Sequence, residues 1–218
     1  MNRTEILSKT DHTLLAPQAT WEEVEALCKE ALAYHTASVC ISPCYVLPAK
    51  KAFPDLTVCT VIGFPSGAHT TVCKVMETKD AIVNGADEVD MVINVGFVKD
   101  GRFDAVLDEI RQVKAAAGSR ILKVIIETCL LTEDEKIRLC DIVSRSGADF
   151  IKTSTGFSKG GATPEDIRLM RKYCAPGLKV KAAGGISTLA DAEEFLKLGA
   201  DRLGSSRIVR LIREEESV

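Results

Sequence analysis

The chain of 218 residues has no apolar run that approaches the roughly 20 residues of a membrane helix, and its first ten residues hold no hydrophobic core of a secretion signal. It has no excess of one charge. The 28 Lys and Arg face 31 Asp and Glu, a formal net charge of −3, so neither nucleic acid nor a membrane is expected as a partner, and any anion must be held locally. No Cys-x-x-Cys occurs among the eight cysteines, and His12, His35 and His69 lack the paired spacing of a helical metal site. A zinc or iron–sulfur centre is therefore not expected. In an unsignalled chain of this length the thiols are expected to be reduced, in the cytoplasm. Neither Gly-x-Gly-x-x-Gly after the first strand nor Gly-x-x-x-x-Gly-Lys-Ser/Thr is found, which argues against the common nucleotide-binding open sheets.

What is present is a regular alternation of short apolar segments with helical patterns. Eight strands are expected near 12–15, 38–42, 56–64, 88–95, 120–128, 149–154, 179–183 and 202–204. Helices are expected around 20–35, 44–52, 70–84, 103–117, 132–146, 164–174, 189–198 and 206–215. Thr132 with Glu135 forms a capping box, and Thr163-Pro164 puts proline at the first helical position. Such a sequence predicts one domain over 1–218, a single-domain (β/α)8 TIM barrel with few insertions.

An internal repeat refines that expectation. Gly85-Ala86-Asp87, Gly147-Ala148-Asp149 and Gly199-Ala200-Asp201 each end a helix and open a strand, and five residues beyond each glycine stand Asp90, Lys152 and Gly204. A fainter copy starts at His35 and ends on Cys40. These positions fall on strands two, four, six and eight, which contribute together to one inward layer of such a barrel. A layer of thiol, carboxylate, amine and glycine is odd where branched apolar residues are usual. Lys181 and Lys123 lie in the neighbouring apolar strands, and snorkelling to water does not account for all three lysines.

An unperturbed lysine is a free amine in only about one molecule in 2500 at neutral pH. Desolvation and a neighbouring ammonium favour the free form, which attacks carbonyls to give a Schiff base. Lys152 beside Lys181 suits that chemistry, with Asp90 exchanging protons. The loops Ala183-Gly184-Gly185 and Gly204-Ser205-Ser206-Arg207 follow strands seven and eight, where barrels of this kind cradle phosphate. Cys40 reads as a small buried hydrophobe rather than a reactive thiol.

These residues carry a resemblance that covers nearly the whole chain. Asp11-His12-Thr13-Leu14-Leu15, Gly63-Phe64-Pro65, Gly85 to Asp90, Leu122 to Thr128, Phe150-Ile151-Lys152-Thr153-Ser154-Thr155-Gly156 and Lys181 to Gly185 resemble the deoxyribose-phosphate aldolases, a class I aldolase family. The resemblance implies reversible cleavage of 2-deoxy-D-ribose 5-phosphate without metal or other cofactor, in a homo-oligomer of two or more copies. It implies Lys152 as the Schiff-base lysine, Lys181 and Asp90 as the proton-transfer pair, and Asp11 and Lys123 as supporting charges. Gly184, Gly185, Gly204, Ser205, Ser206 and Thr155 are expected around the phosphate. The chain departs from some family members at Phe157, where they have lysine, leaving Lys159 as a substitute. At Arg207 a guanidinium either grips the phosphate or faces solvent.

Overall fold

In the computed structural model, which describes residues 1–216, the eight strands form one closed parallel barrel in chain order. The strands are β1 (Thr10–Leu14), β2 (Ser38–Ile41), β3 (Val58–Ile62), β4 (Glu88–Val92), β5 (Ile121–Ile125), β6 (Phe150–Lys152), β7 (Lys179–Ala183) and β8 (Arg202–Ser205). Around them run α1 (Arg3–Ser8), α2 (Trp21–Ala33), α3 (Val46–Ala52), α4 (Thr71–Val83), α5 (Val95–Lys99), α6 (Phe103–Ala117), α7 (Glu133–Ser146), α8 (Pro164–Tyr173), α9 (Leu189–Lys197) and α10 (Ile208–Glu216). The apolar core lies between strands and helices, where outward residues such as Val39, Val89, Ile151 and Leu203 meet Val24, Ile110, Val143 and Ile208. Among the described residues, no helix is long and apolar enough to cross a membrane.

The repeated Gly-Ala-Asp has a physical cause. Each glycine takes a positive φ that ends its helix: +103° at Gly85, +87° at Gly147 and +105° at Gly199. Each aspartate then accepts, on one carboxylate oxygen, the N–H of a residue on the preceding odd strand. The bonds run from Val58 to Asp87 (3.0 Å), from Leu122 to Asp149 (2.8 Å) and from Val180 to Asp201 (2.8 Å). A base from the helix after the preceding even strand or strand pair reaches the same oxygen, namely Lys50, Lys114 or Arg171. The clasp ties two strands and a helix together at the base of the barrel. In the fainter copy His35 adopts the left-handed backbone, φ +51°, without glycine. Ala37 stands where the carboxylate would be, so only its backbone bond to Thr10 O remains.

The capping box of Thr132 with Glu135 and the proline start of α8 are present as expected. The short helices α1 and α5 are additions to the sequence reading. Their single-turn lengths show no apolar period, and Asn2 and Asn94 cap them. β1 starts earlier than its apolar pattern, at Thr10, because each polar residue there finds a partner. Thr10 bonds Ile6 O (2.8 Å), Asp11 turns inward to cations and His12 meets Glu30 (2.9 Å). β5 stops at Ile125 because Glu127 swings to φ +56°. Its buried carboxylate accepts the N–H and hydroxyl of Thr155 on the next loop.

Asp149→Ala removes the acceptor of a buried backbone N–H and frees Lys114. It is expected to lower unfolding free energy by about 1–3 kcal/mol, measured as a lower urea midpoint with an unchanged slope, while turnover per folded molecule stays intact.

Candidate active site

Parallel register stacks the inward residues in layers. Cys40 pairs with Cys59, which pairs with Glu88, and Asp90 lies two residues further up β4. The same step leads from Asp90 to Lys152, from Lys152 to Gly204, and from Gly204 back to Cys40. The layer expected from the repeat therefore closes on itself. Odd strands supply the layer beneath it: Asp11, Cys59, Lys123 and Lys181. Ser38, Glu88, Phe150 and Arg202 form the one below that.

Six charged groups from these layers form a closed ring of alternating sign. Asp90 contacts Lys181 (2.7 Å), Lys181 contacts Asp11, and Asp11 contacts Arg202 (2.6 Å). Arg202 contacts Glu88 (3.3 Å), Glu88 meets Lys123 (2.6 Å) as an ion pair, and Lys123 returns to Asp90 (2.7 Å). Ser38 adds a hydroxyl donor to Asp11 and Cys59 a thiol donor to Asp90. Lys152 hangs from the ring, its Nζ donating to Asp90 Oδ2 at 2.7 Å, the same oxygen that Lys181 uses. Both amines thus meet over one carboxylate inside the tube.

Burial would push the Asp90 carboxyl up, but Lys123, Lys152 and Lys181 outweigh it and hold Asp90 well below the ordinary carboxylate range. Asp11 is likewise lowered against its burial, by Lys181, Lys123 and Arg202. Burial works against the charge on Lys181, yet Asp11 and Asp90 raise this amine above its usual value, and Lys123 is raised well above its own chiefly by Asp90. Asp90, Asp11, Lys181 and Lys123 are therefore held in their charged forms. Such a buried array adds little net stability, because desolvation cancels most of the attraction.

Above the layer of Lys152 opens a cavity of about 610 Å³. Lys152, only 3% exposed, and Gly204 lie at its floor, while Lys181, Asp90, Asp11 and Lys123 are buried beneath. Gly184, Gly185, Ser205, Ser206 and Thr155 line it, so every residue expected around the phosphate faces this space. Gly184 and Gly185 have φ of +78° and +77°, which turns the loop after β7 back over the mouth. Thr155 differs from the expectation in one respect. Its N–H and hydroxyl are both committed to Glu127, and its oxygen accepts the Phe157 N–H. Arg207 lines the cavity, whereas Lys159 is exposed and outside its wall. Phe157 instead packs edge-on against Phe64, ring centres 5.2 Å apart.

Glycine at position 204 has a steric reason. A Cβ there would lie 3.1 Å from both Lys181 Cε and Ala183 Cβ, so the empty position makes room for the second lysine. Two sets of donors, Cys40 with Cys59 and Asp90, and Asp11 with Cys59 and Glu88, converge closely enough to suggest metal ligation. The Lys123 ammonium contacts Cys59, Asp90 and Glu88 and so fills that space with a positive charge. Sequence reasoning missed Glu88, Arg202 and Cys59. Glu88 and Arg202 stand three residues beyond Gly85 and Gly199 in the repeated frame, two before Asp90 and Gly204, and hence share their inward face.

A lysine at the cavity floor with a second one just beneath it points to carbonyl chemistry, and residues 6–203 match the DeoC/LacD family of aldolases. The protein is thus an aldolase, a lyase. The chain is 58% identical to the deoxyribose-phosphate aldolase of Streptococcus pyogenes serotype M4 over 212 residues, covering 97% of this chain and 95% of that one. Among solved structures, a tetrameric deoxyribose phosphate aldolase from Aeropyrum pernix superposes with a TM-score of 0.89 at 30% identity, covering 99% of this chain and 93% of that one. An aldolase called QR15 gives 0.93 at 35% identity, covering 97% and 96%. The chain belongs to the deoxyribose-phosphate aldolase family.

Gly204→Ala is expected to displace the Lys181 side chain by a few tenths of an ångström and lower kcat by roughly tenfold. Steady-state kinetics on the folded variant check it, and an unchanged kcat would remove the steric role given to the glycine.

Proposed function

We propose that the protein reversibly cleaves 2-deoxy-D-ribose 5-phosphate to D-glyceraldehyde 3-phosphate and acetaldehyde through a Schiff base on Lys152. The observation that carries this reading is charge balance inside the tube. Lys123, Lys181 and Arg202 balance Glu88, Asp11 and Asp90, and Lys152 is a fourth cation against three carboxylates. Lys152 contacts Asp90 alone among the carboxylates and lies at the cavity floor, so it is the amine that an entering carbonyl meets.

The free amine adds to the C1 aldehyde, and loss of water gives the iminium. The C3 hydroxyl then loses its proton and the C2–C3 bond breaks. Its electron pair moves to the iminium to form the enamine, and C3 to C5 depart as glyceraldehyde 3-phosphate. Protonation of C2 and addition of water release acetaldehyde and the lysine. Lys181, its charge held by Asp11 and Asp90 and sharing an oxygen with Lys152, is placed to give and take these protons. Asp90, kept ionised, orients both amines. The phosphate is received by the Gly184-Gly185 backbone, Ser205 and Ser206 before α10, with Arg207 alongside.

The eight free thiols support the cytoplasm as the place of action. A homo-oligomer fits the outer face of α4, where Val72, Met76 and Val83 are 69%, 58% and 84% exposed.

Borohydride reduction in the presence of acetaldehyde is expected to leave one ethyl group, mapped by peptide mass to Lys152, and Lys152→Ala to lose turnover by at least about 10⁴-fold. A label on Lys181, or none, sinks the proposed chemistry, and the absence of any adduct favours an isomerase on the same barrel. Sedimentation is expected to give at least a dimer, and a monomer's mass would exclude the assembly.

A further inference from the structure

We infer that Glu88 and Arg202, two layers below Lys152 at the opposite end of the tube, are positioning residues of the aldol reaction, because they close the ring that makes Lys152 the surplus cation. The inference rests on the Schiff-base reading of Lys152. Neither residue reaches the cavity. In a barrel of this class, residues at the strand starts are ordinarily assigned to stability, with chemistry at the strand ends. Here the ion contacts run without a gap from one end to the other.

The geometry leaves the two residues little other purpose. Glu88 is 3% exposed and the Arg202 side chain 14%, so both charges are held largely out of water, where a lone pair adds little stability. Each holds the other and one group of the layer above: Arg202 holds Asp11, and Glu88 holds Lys123. Those two in turn grip Lys181 and Asp90, the groups next to Lys152. The remaining polar groups facing the ring do not alter its balance. From β2, Ser38 is uncharged and the Cys40 thiol is drawn down by its hydrogen bond with Cys59 against its burial, while on β3 burial, then Cys40 and Asp90, push the Cys59 thiol well up. Phe150 is the inward residue of β6 below Lys152. Lys179 of β7 is exposed at the base, its Nζ 5.4 Å from the Phe150 ring centre, where water screens it.

Removing Arg202 leaves the ring one negative charge in excess, which Lys152 neutralises by keeping its proton. Removing Glu88 leaves a positive excess, which favours the free amine. Lys123 still holds its own proton then, through Asp90 and Asp11 (3.6 Å). The two losses therefore act on Lys152 in opposite directions, which no general weakening of the barrel does.

The test measures kcat/KM for 2-deoxyribose 5-phosphate cleavage from acid to alkaline pH with the full chain and its Arg202→Gln, Arg202→Lys, Glu88→Gln and Arg202→Gln/Glu88→Gln variants, each shown to be folded by circular dichroism. The acid limb is expected to rise by roughly one pH unit in Arg202→Gln and to fall by a similar amount in Glu88→Gln, the effect of a unit charge across about 10 Å at an effective dielectric constant of about 20. Arg202→Lys, which keeps the charge, and the double variant, which keeps the balance, are expected to stay near the parent. Limbs that do not move, or that move the same way in both single variants, overturn the inference. If Arg202→Gln does not fold, the direction seen in Glu88→Gln decides alone. Borohydride labelling of the parent separates the two levels. A label on Lys152 with unmoved limbs refutes only the ring's role, whereas no label there refutes the Schiff base itself.

Discussion

A ring of alternating charges runs through the inside of this barrel, and the rest of the molecule is arranged to keep it intact. Asp90 and Lys181 at its upper edge reach Glu88 and Arg202 at its lower edge through Asp11 and Lys123. A barrel of this kind ordinarily packs its interior with branched apolar side chains. Here the folding free energy comes instead from the shell between strands and helices, where the outward residues are almost wholly aliphatic. The inside is left for groups whose value is electrostatic.

The loop after β6 links Lys152 to the loop after β7. It leaves the strand at Lys152, is pinned at Thr155 by the Glu127 carboxylate, and returns at Ala162, whose N–H reaches the carbonyls of Ala183 and Gly184, each at 3.1 Å. A Cβ on Gly161 would lie 2.4 Å from the Gly184 carbonyl, so the two loops touch backbone to backbone. The left-handed Glu127 is local strain of the kind found beside working sites. Position of the Lys152 amine and shape of the Gly184-Gly185 loop are therefore parts of one mechanical unit.

The barrel was legible because strand and helix periods alternate cleanly, and the inward layer because a glycine marks the same turn three times. Asp90, Lys152 and Gly204 followed from that frame, Lys181 from the apolar strand next to Lys152, and the family from the motifs around them. Other features were less visible. β1 opens with Thr10-Asp11, which lie before the expected strand and look like a loop until the partners of each side chain are known. Arg202 and Glu88 read as ordinary polar residues at strand starts, since spacing gives the face of a residue but not what lies opposite it across a tube. The pinning of Thr155 by Glu127 depends on a backbone turn that no propensity foretells, since non-glycine residues rarely adopt it.

The aspartate clasps at Asp87, Asp149 and Asp201 stand outside the tube and at the end away from the cavity. Fastening and chemistry thus occupy separate addresses in the same strands. The segments around the mouth, from Leu15 to Gln18 and from Gly156 to Gly160, contribute nothing to those fastenings. They are free to be reshaped for a differently sized aldehyde without loosening the staves that hold the cask together.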